Sequence, residues 1–178
     1  MQAATYFQSE SLLTALLKDY TYYNLWANKT IIDWLKPKPA KLIEQQTQAS
    51  FGSLKLTLLH IWNMQTWWQS NLQQWQPEFT YSKIYNGTIE TIFEGILKQS
   101  EELAEYVDSL NDDSLEGDCP FNIPTVGEFN RPRFEAVHHC INQSTYHRGQ
   151  LVAIAHNLGI KDAPQTDYMH YLLTAKLY

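Results

Sequence analysis

The sequence predicts an all-α fold, a single four-helix-bundle domain over residues 1–178 with long crossover connections and an irregular segment before the last long helix. Three observations predict it. Four stretches place apolar residues three or four positions apart, the spacing of one helix face. Two long turn-rich segments, near 75–87 and 111–130, separate the later stretches. The length of 178 residues is that of one domain able to bury a core.

The first helix is expected from about Ser11 to Leu35, where Leu12, Leu16, Tyr20, Tyr23, Ala27, Ile31 and Trp34 recur at helical spacing. Pro37 and Pro39 end it, because the proline ring removes a backbone donor and restricts the preceding residue. A loop is expected through about Ala49. The second helix opens at Ser50 or Ser53, either of which is a suitable cap, and continues through Leu54, Leu58, Ile61, Trp68 and Leu72. The segment from Trp75 to Gly87 holds Pro77, Asn86 and Gly87, and reads as a connection long enough to cross one end of a bundle.

Thr88 is the expected cap of the third helix, whose stripe is the cleanest in the chain: Ile89, Ile92, Phe93, Ile96, Leu97, Leu103, Tyr106, Val107 and Leu110. Glu90, Glu94, Lys98, Glu101 and Glu105 mark its wet face. From Asn111 to Asn130 the turn formers predict no helix, only short extended pieces such as Phe121 to Ile123 in an irregular hairpin. The fourth helix begins after Asn130 with Pro132 in its first turn and stops at Leu158 before Gly159, a favourable left-handed terminator. A short helix from Asp167 packs back on the bundle.

Composition narrows the function. A formal net charge of −6 with interspersed signs argues against nucleic acid, which requires clustered Lys and Arg. Met1 to Glu10 lacks the basic start and apolar run of a signal peptide, and no stretch reaches the roughly 20 apolar residues that span a bilayer. A cytoplasmic protein with no membrane partner is expected. The two cysteines, Cys119 and Cys140, make neither a disulfide framework nor a close-spaced metal pattern. Six Trp and eleven Tyr bring N–H and O–H groups that need partners when buried, so a half-polar interior is expected.

The chemistry-bearing residues are histidines. On the fourth helix His139, Gln143 and His147 follow one another at steps of four, each step turning the direction by about 40°, so the three share a face. His60 lies within the apolar stretch of the second helix. Neutral imidazole is a common ligand for Zn, Ni, Cu or Fe, and bundle-core sites draw ligands from facing helices while keeping a position open for water or substrate. Histidines on helix faces also occur as ordinary core or surface residues, and His138, His156 and His170 read that way. Gly149 inside the helix costs about 1 kcal/mol against Ala and predicts close packing beside it.

Three segments carry a resemblance to a known family: Trp26-Ala27-Asn28, Ser50-Phe51-Gly52-Ser53 leading to Leu59-His60-Ile61, and above all Asn142 to Leu151, ending His147-Arg148-Gly149-Gln150-Leu151. Over nearly its whole length the chain resembles the DinB-like superfamily, which includes the damage-inducible DinB proteins and the YfiT-like metal-dependent hydrolases. The resemblance implies a metal triad at His60, position 143 and His147, holding a divalent transition metal, Zn or Ni before others, and it implies a homodimer. Position 143 is Gln, whose neutral amide oxygen is a poorer donor than imidazole nitrogen. Three outcomes stay open: Gln143 ligates weakly, His139 replaces it, or the site is metal-free and its polar groups bond through water.

Related families with this fold include transferases that use the thiols bacillithiol or mycothiol. The resemblance therefore implies a small-molecule substrate or low-molecular-weight thiol, and either S-transfer or hydrolysis, with Tyr146 or Arg148 contacting substrate or a neighbouring helix. The competing expectation is a non-catalytic, stress-related bundle that binds a small ligand at a degenerate, metal-free site.

Overall fold

The computed structural model describes residues 10–74 and 87–176, and these are mostly helical. The crossing connection expected at 75–87 and the leader-free stretch expected at 1–10 lie outside the described residues, apart from Gly87 and Glu10. In chain order the elements are α1 (Leu12–Leu35), α2 (Ala40–Ile43), α3 (Leu54–Leu72), α4 (Ile89–Asp108), α5 (Asp112–Glu116), β1 (Asp118–Ile123), β2 (Gly127–Pro132), α6 (Arg133–Asn157) and α7 (Tyr168–Thr174). Of the four long helices, α1 packs against α4 and α6, and α3 packs against the same two. None of the described helices is long and apolar enough to cross a membrane.

Local chemistry sets the helix ends. Ser11, Ser53, Thr88 and Asp167 each accept from a backbone N–H three residues on, at Thr14, Leu56, Thr91 and His170. Each such cap contributes about 1 kcal/mol. Ser53 rather than Ser50 therefore opens α3. At the far end of α6, Gly159 at φ +87° lets Ile160 N–H reach Ala155 C=O at 2.9 Å while Gly159 N–H reaches His156 C=O at 3.0 Å. This paired closure needs a left-handed residue, and it folds the apolar Ile160 back into the core.

The structure corrects four local expectations. Asn111 to Asn130 does contain a helix, α5. Asn111 Oδ1 caps it through Ser114 N–H at 2.9 Å, Leu115 is buried, and the Asp112 carboxylate accepts from Ser11 Oγ at 2.8 Å and from Thr14 Oγ1. A contact spanning 101 positions thus holds a turn that the local residues alone leave undecided. The expected loop through Ala49 likewise carries α2, which buries Ile43. Pro132 stands before α6 rather than in its first turn, because β2 runs on to pair it with Asp118. Leu12 and Leu16, expected in the core, are 90% and 52% exposed, since α1 turns Thr14, Leu17, Thr21, Asn24 and Asn28 inward instead.

That polar face organises the interior. One apolar cluster gathers Ile31, Leu35, Leu54, Leu58, Ile92 and Leu151, and a second gathers Leu17, Trp68, Leu72, Leu103, Val137 and Ile141. Between these positions along every long helix lies a buried polar residue: Asn24 and Asn28 on α1, Gln65 on α3, Ser100 on α4, Ser144 and Arg148 on α6. Where α3 meets α4, Trp62 lies over Gly95 so closely that a Cβ there would fall 2.2 Å from the ring.

Candidate functional site

Facing helices α3 and α6 bring His60 and His147 together. Their Nε2 atoms are 3.0 Å apart, with the rings nearly perpendicular at 80°. His147 is buried and His60 half-buried. Phe51, in the turn before α3, stacks on His60 at 4.1 Å between ring centres and meets His147 edge-on at 5.4 Å. Burial, followed by the neighbouring His147, pulls the His60 pKa down to about 4, so His60 is a neutral imidazole at neutral pH.

Gln150, one turn beyond His147, orients that ring. Its amide oxygen accepts from Nδ1 of His147 at 2.8 Å, which puts the ring proton on Nδ1 and leaves Nε2 a lone pair aimed at His60. An outer hydrogen bond on the far nitrogen is the usual way to fix the tautomer of a ligating histidine. Two imidazole nitrogens on one tetrahedral zinc, each about 2.05 Å away, would be about 3.3 Å apart. The pair fits two positions of such a site after parting by a few tenths of an ångström.

The third predicted ligand is arranged differently. Gln143 Oε1 accepts from the indole N–H of Trp68 at 3.3 Å, so the amide oxygen is engaged by α3. His139, a further turn back, stands edge-on to Trp68 at 4.9 Å between ring centres. Among the described residues no group of three His, Cys, Asp or Glu is placed to hold a metal ion. Burial, then His138, keeps the His139 pKa below its ordinary value.

Other residues of the motif have other tasks. Tyr146 is exposed and stands edge-on to His147 at 5.1 Å between ring centres. Arg148 faces α1, donating from Nη1 to Asn24 Oδ1 at 2.7 Å and Asn28 Oδ1 at 2.9 Å, and from Nη2 to Thr145 Oγ1 at 2.8 Å. It serves a neighbouring helix, not the His pair. Gly149 contradicts the close packing expected of it, since a Cβ there would meet nothing within 4 Å. Cys119 and Cys140 are free and buried, and burial pushes the Cys140 thiol up to about 12.

Reading the residues alone misses the roles of Gln150, Phe51 and Trp68. The three-residue step from His147 to Gln150 was the available signal, because i and i+3 on a helix are neighbours. Phe51 and Trp68 reach the site through the tertiary fold and left no such signal.

The DinB family model matches residues 8–176. Protein DinB of Bacillus subtilis (strain 168) is 28% identical over 165 residues, covering 86% of this chain and 92% of that protein. The match spans every described element, including the helix that carries His60 and the one that carries His147-Arg148-Gly149-Gln150, and the chain belongs to the DinB family.

Proposed function

We propose that the four long helices form the DinB-type bundle, with α1 and α3 on one diagonal, and that His60 and His147 are two ligands of a weakly held divalent transition metal serving a small-molecule reaction. Packing of α1 and α3 on the same two helices supports the first part. One observation carries the second: the Nε2 atoms converge at 3.0 Å while Gln150 holds the proton of His147 on the opposite nitrogen.

A divalent cation there, when bound, lowers the pKa of an adjacent water or thiol and so supplies a nucleophile at neutral pH. The protein's own residues prepare the place. Gln150 holds Nδ1 of His147 and so turns Nε2 toward His60, the half-buried position of His60 keeps its ring neutral, and Phe51 covers the pair on one side. Gln143 completes the ligand set only by giving up its bond to Trp68, and its neutral oxygen makes affinity low. A thiol-dependent transferase or a hydrolase is the reaction class this arrangement suits. A second reading, a metal-free pocket that binds a small ligand without catalysis, is favoured by that same Gln143–Trp68 bond.

Calorimetric titration of chelator-treated protein with Zn and Ni tests the proposal. One ion per chain, with binding abolished in both His60→Ala and His147→Ala, is the expected result. Binding no stronger than in either variant overturns it and leaves the metal-free reading.

A further inference from the structure

Beyond Gln143, on the hairpin side, α3, β1, β2 and α6 line an open cleft of about 250 Å³. Trp68, Phe121, Ile123 and Ala136 wall it, and His139 reaches it from α6. We propose that this cleft is a binding site for an uncharged planar aromatic molecule of one or two rings bearing a hydroxyl or a ring N–H.

Three features of the cleft select that class. Trp68 stands across both Phe121, at 5.1 Å and 67°, and His139, at 4.9 Å and 64°. Rings set at steep angles present an edge beside a face, and a flat aromatic guest matches both through their opposite quadrupoles. Size allows one or two rings, since even a closed cavity of about 150 Å³ holds benzene and this cleft is larger and open on one side.

Charge favours neither sign of ion. The cationic wall residue, Arg131, is already held by Glu135 at 2.6 Å, so the two bring no net charge to a carboxylate or an ammonium. Polarity then selects the substituent. His139 is exposed, and a neutral imidazole offers one donor and one acceptor. A hydroxyl or ring N–H in the cleft can bond to it in place of water, the pattern of an apolar pocket with few polar groups. The cleft adjoins the candidate metal pair through the Trp68–Gln143 bond, yet its occupation needs no metal.

The test uses metal-free, isotope-labelled full chain titrated with phenol and with indole, with benzoate as the charged comparison, followed by the NMR signals of the Trp68 indole N–H and the His139 ring. Phenol and indole are expected to shift both signals saturably and benzoate to bind at least tenfold more weakly. His139→Ala should weaken phenol about fivefold, the value of one ordinary hydrogen bond. Ile123→Trp fills the cleft from a half-buried strand position, and circular dichroism checks that its fold is intact. It should weaken both probes at least tenfold. Unchanged affinity in folded Ile123→Trp, benzoate binding equal to phenol, or shifts confined to other tryptophans each overturn the proposal. A failed metal titration leaves it untouched, because no metal is present in the assay.

Discussion

Helix α6 presents two polar centres at consecutive residues, about 100° apart around its axis, and they are built on opposite principles. Arg148 points at α1 into a network that takes up its Nη atoms and leaves only its buried Nε without a partner. Its Nη atoms donate to Asn24, Asn28 and Thr145, and the amides of Asn24 and Asn28 donate on to Gln65, at 2.5 Å and 3.2 Å. Ser100 and Ser144 complete it, and Tyr23 lies under the guanidinium at 5.5 Å. His147 points at α3 into an open arrangement, where two imidazole nitrogens face one another and Phe51 covers only part of the pair. A network whose acceptors are nearly all taken holds helices in register. A pair joined by one nitrogen-to-nitrogen hydrogen bond opens to a ligand once the His60 ring proton shifts to Nδ1.

The largest expected effect comes from breaking the closed side. Arg148→Ala leaves the carbonyl oxygens of Asn24 and Asn28 buried without their donor, and at about 1–3 kcal/mol for each of the two groups the loss is about 2–6 kcal/mol by urea unfolding. His147→Ala should cost clearly less, and equal losses would erase the distinction between the two centres.

Gln143→His acts on the open side. A third imidazole in place of the amide is expected to tighten Zn binding by about a hundredfold with little change in unfolding free energy, measured by competition with a chromogenic chelator. No gain would mean that position 143 cannot reach the pair. Gln150→Leu removes the bond that sets the His147 tautomer, and is expected to weaken the metal about tenfold, at the low end of such outer-ligand effects. A stability loss rivalling that of Arg148→Ala would show Gln150 to belong to the closed architecture instead.

The smallest effect is in pH. The folded pKa of His60, about 4, lies below the unfolded value of about 6.5, so as pH falls the unfolded chain takes up the proton first. The contribution of His60 is complete above about pH 6.5 and is lost progressively down to about pH 4. Solvent screening at a half-buried ring keeps it modest. His60→Phe should flatten stability across that window, seen in midpoints of urea unfolding at several pH values. An unchanged slope would show that His60 is not the group responsible.

Much of the fold was legible because it is written in short-range chemistry. Ser11, Thr88, Asp167 and Gly159 mark helix ends through bonds to residues at most five positions away, and the stripe from Ile89 to Val107 faces inward as its spacing requires. His60 and His147 stood out by residue type and setting, and Gln143 by its place between two histidines. Less legible was α5, which depends on Asp112 meeting Ser11 from the far end of the sequence. Leu12 and Leu16 misled because apolar periodicity is a good guide only where the buried face is apolar. In α1 that face carries the asparagines that satisfy Arg148.

The sequence by itself determined the long helices, most of their caps, the shared face of His139, Gln143 and His147, and the departure at position 143. These follow from 3.6-residue periodicity and contacts within one turn. Only the tertiary structure decided which nitrogen of His147 meets His60, that Gln143 bonds to Trp68, and that Arg148 turns away from the histidines. Each depends on groups brought together from different helices or turns, or on the rotamer that packing selects, and spacing along one helix specifies neither.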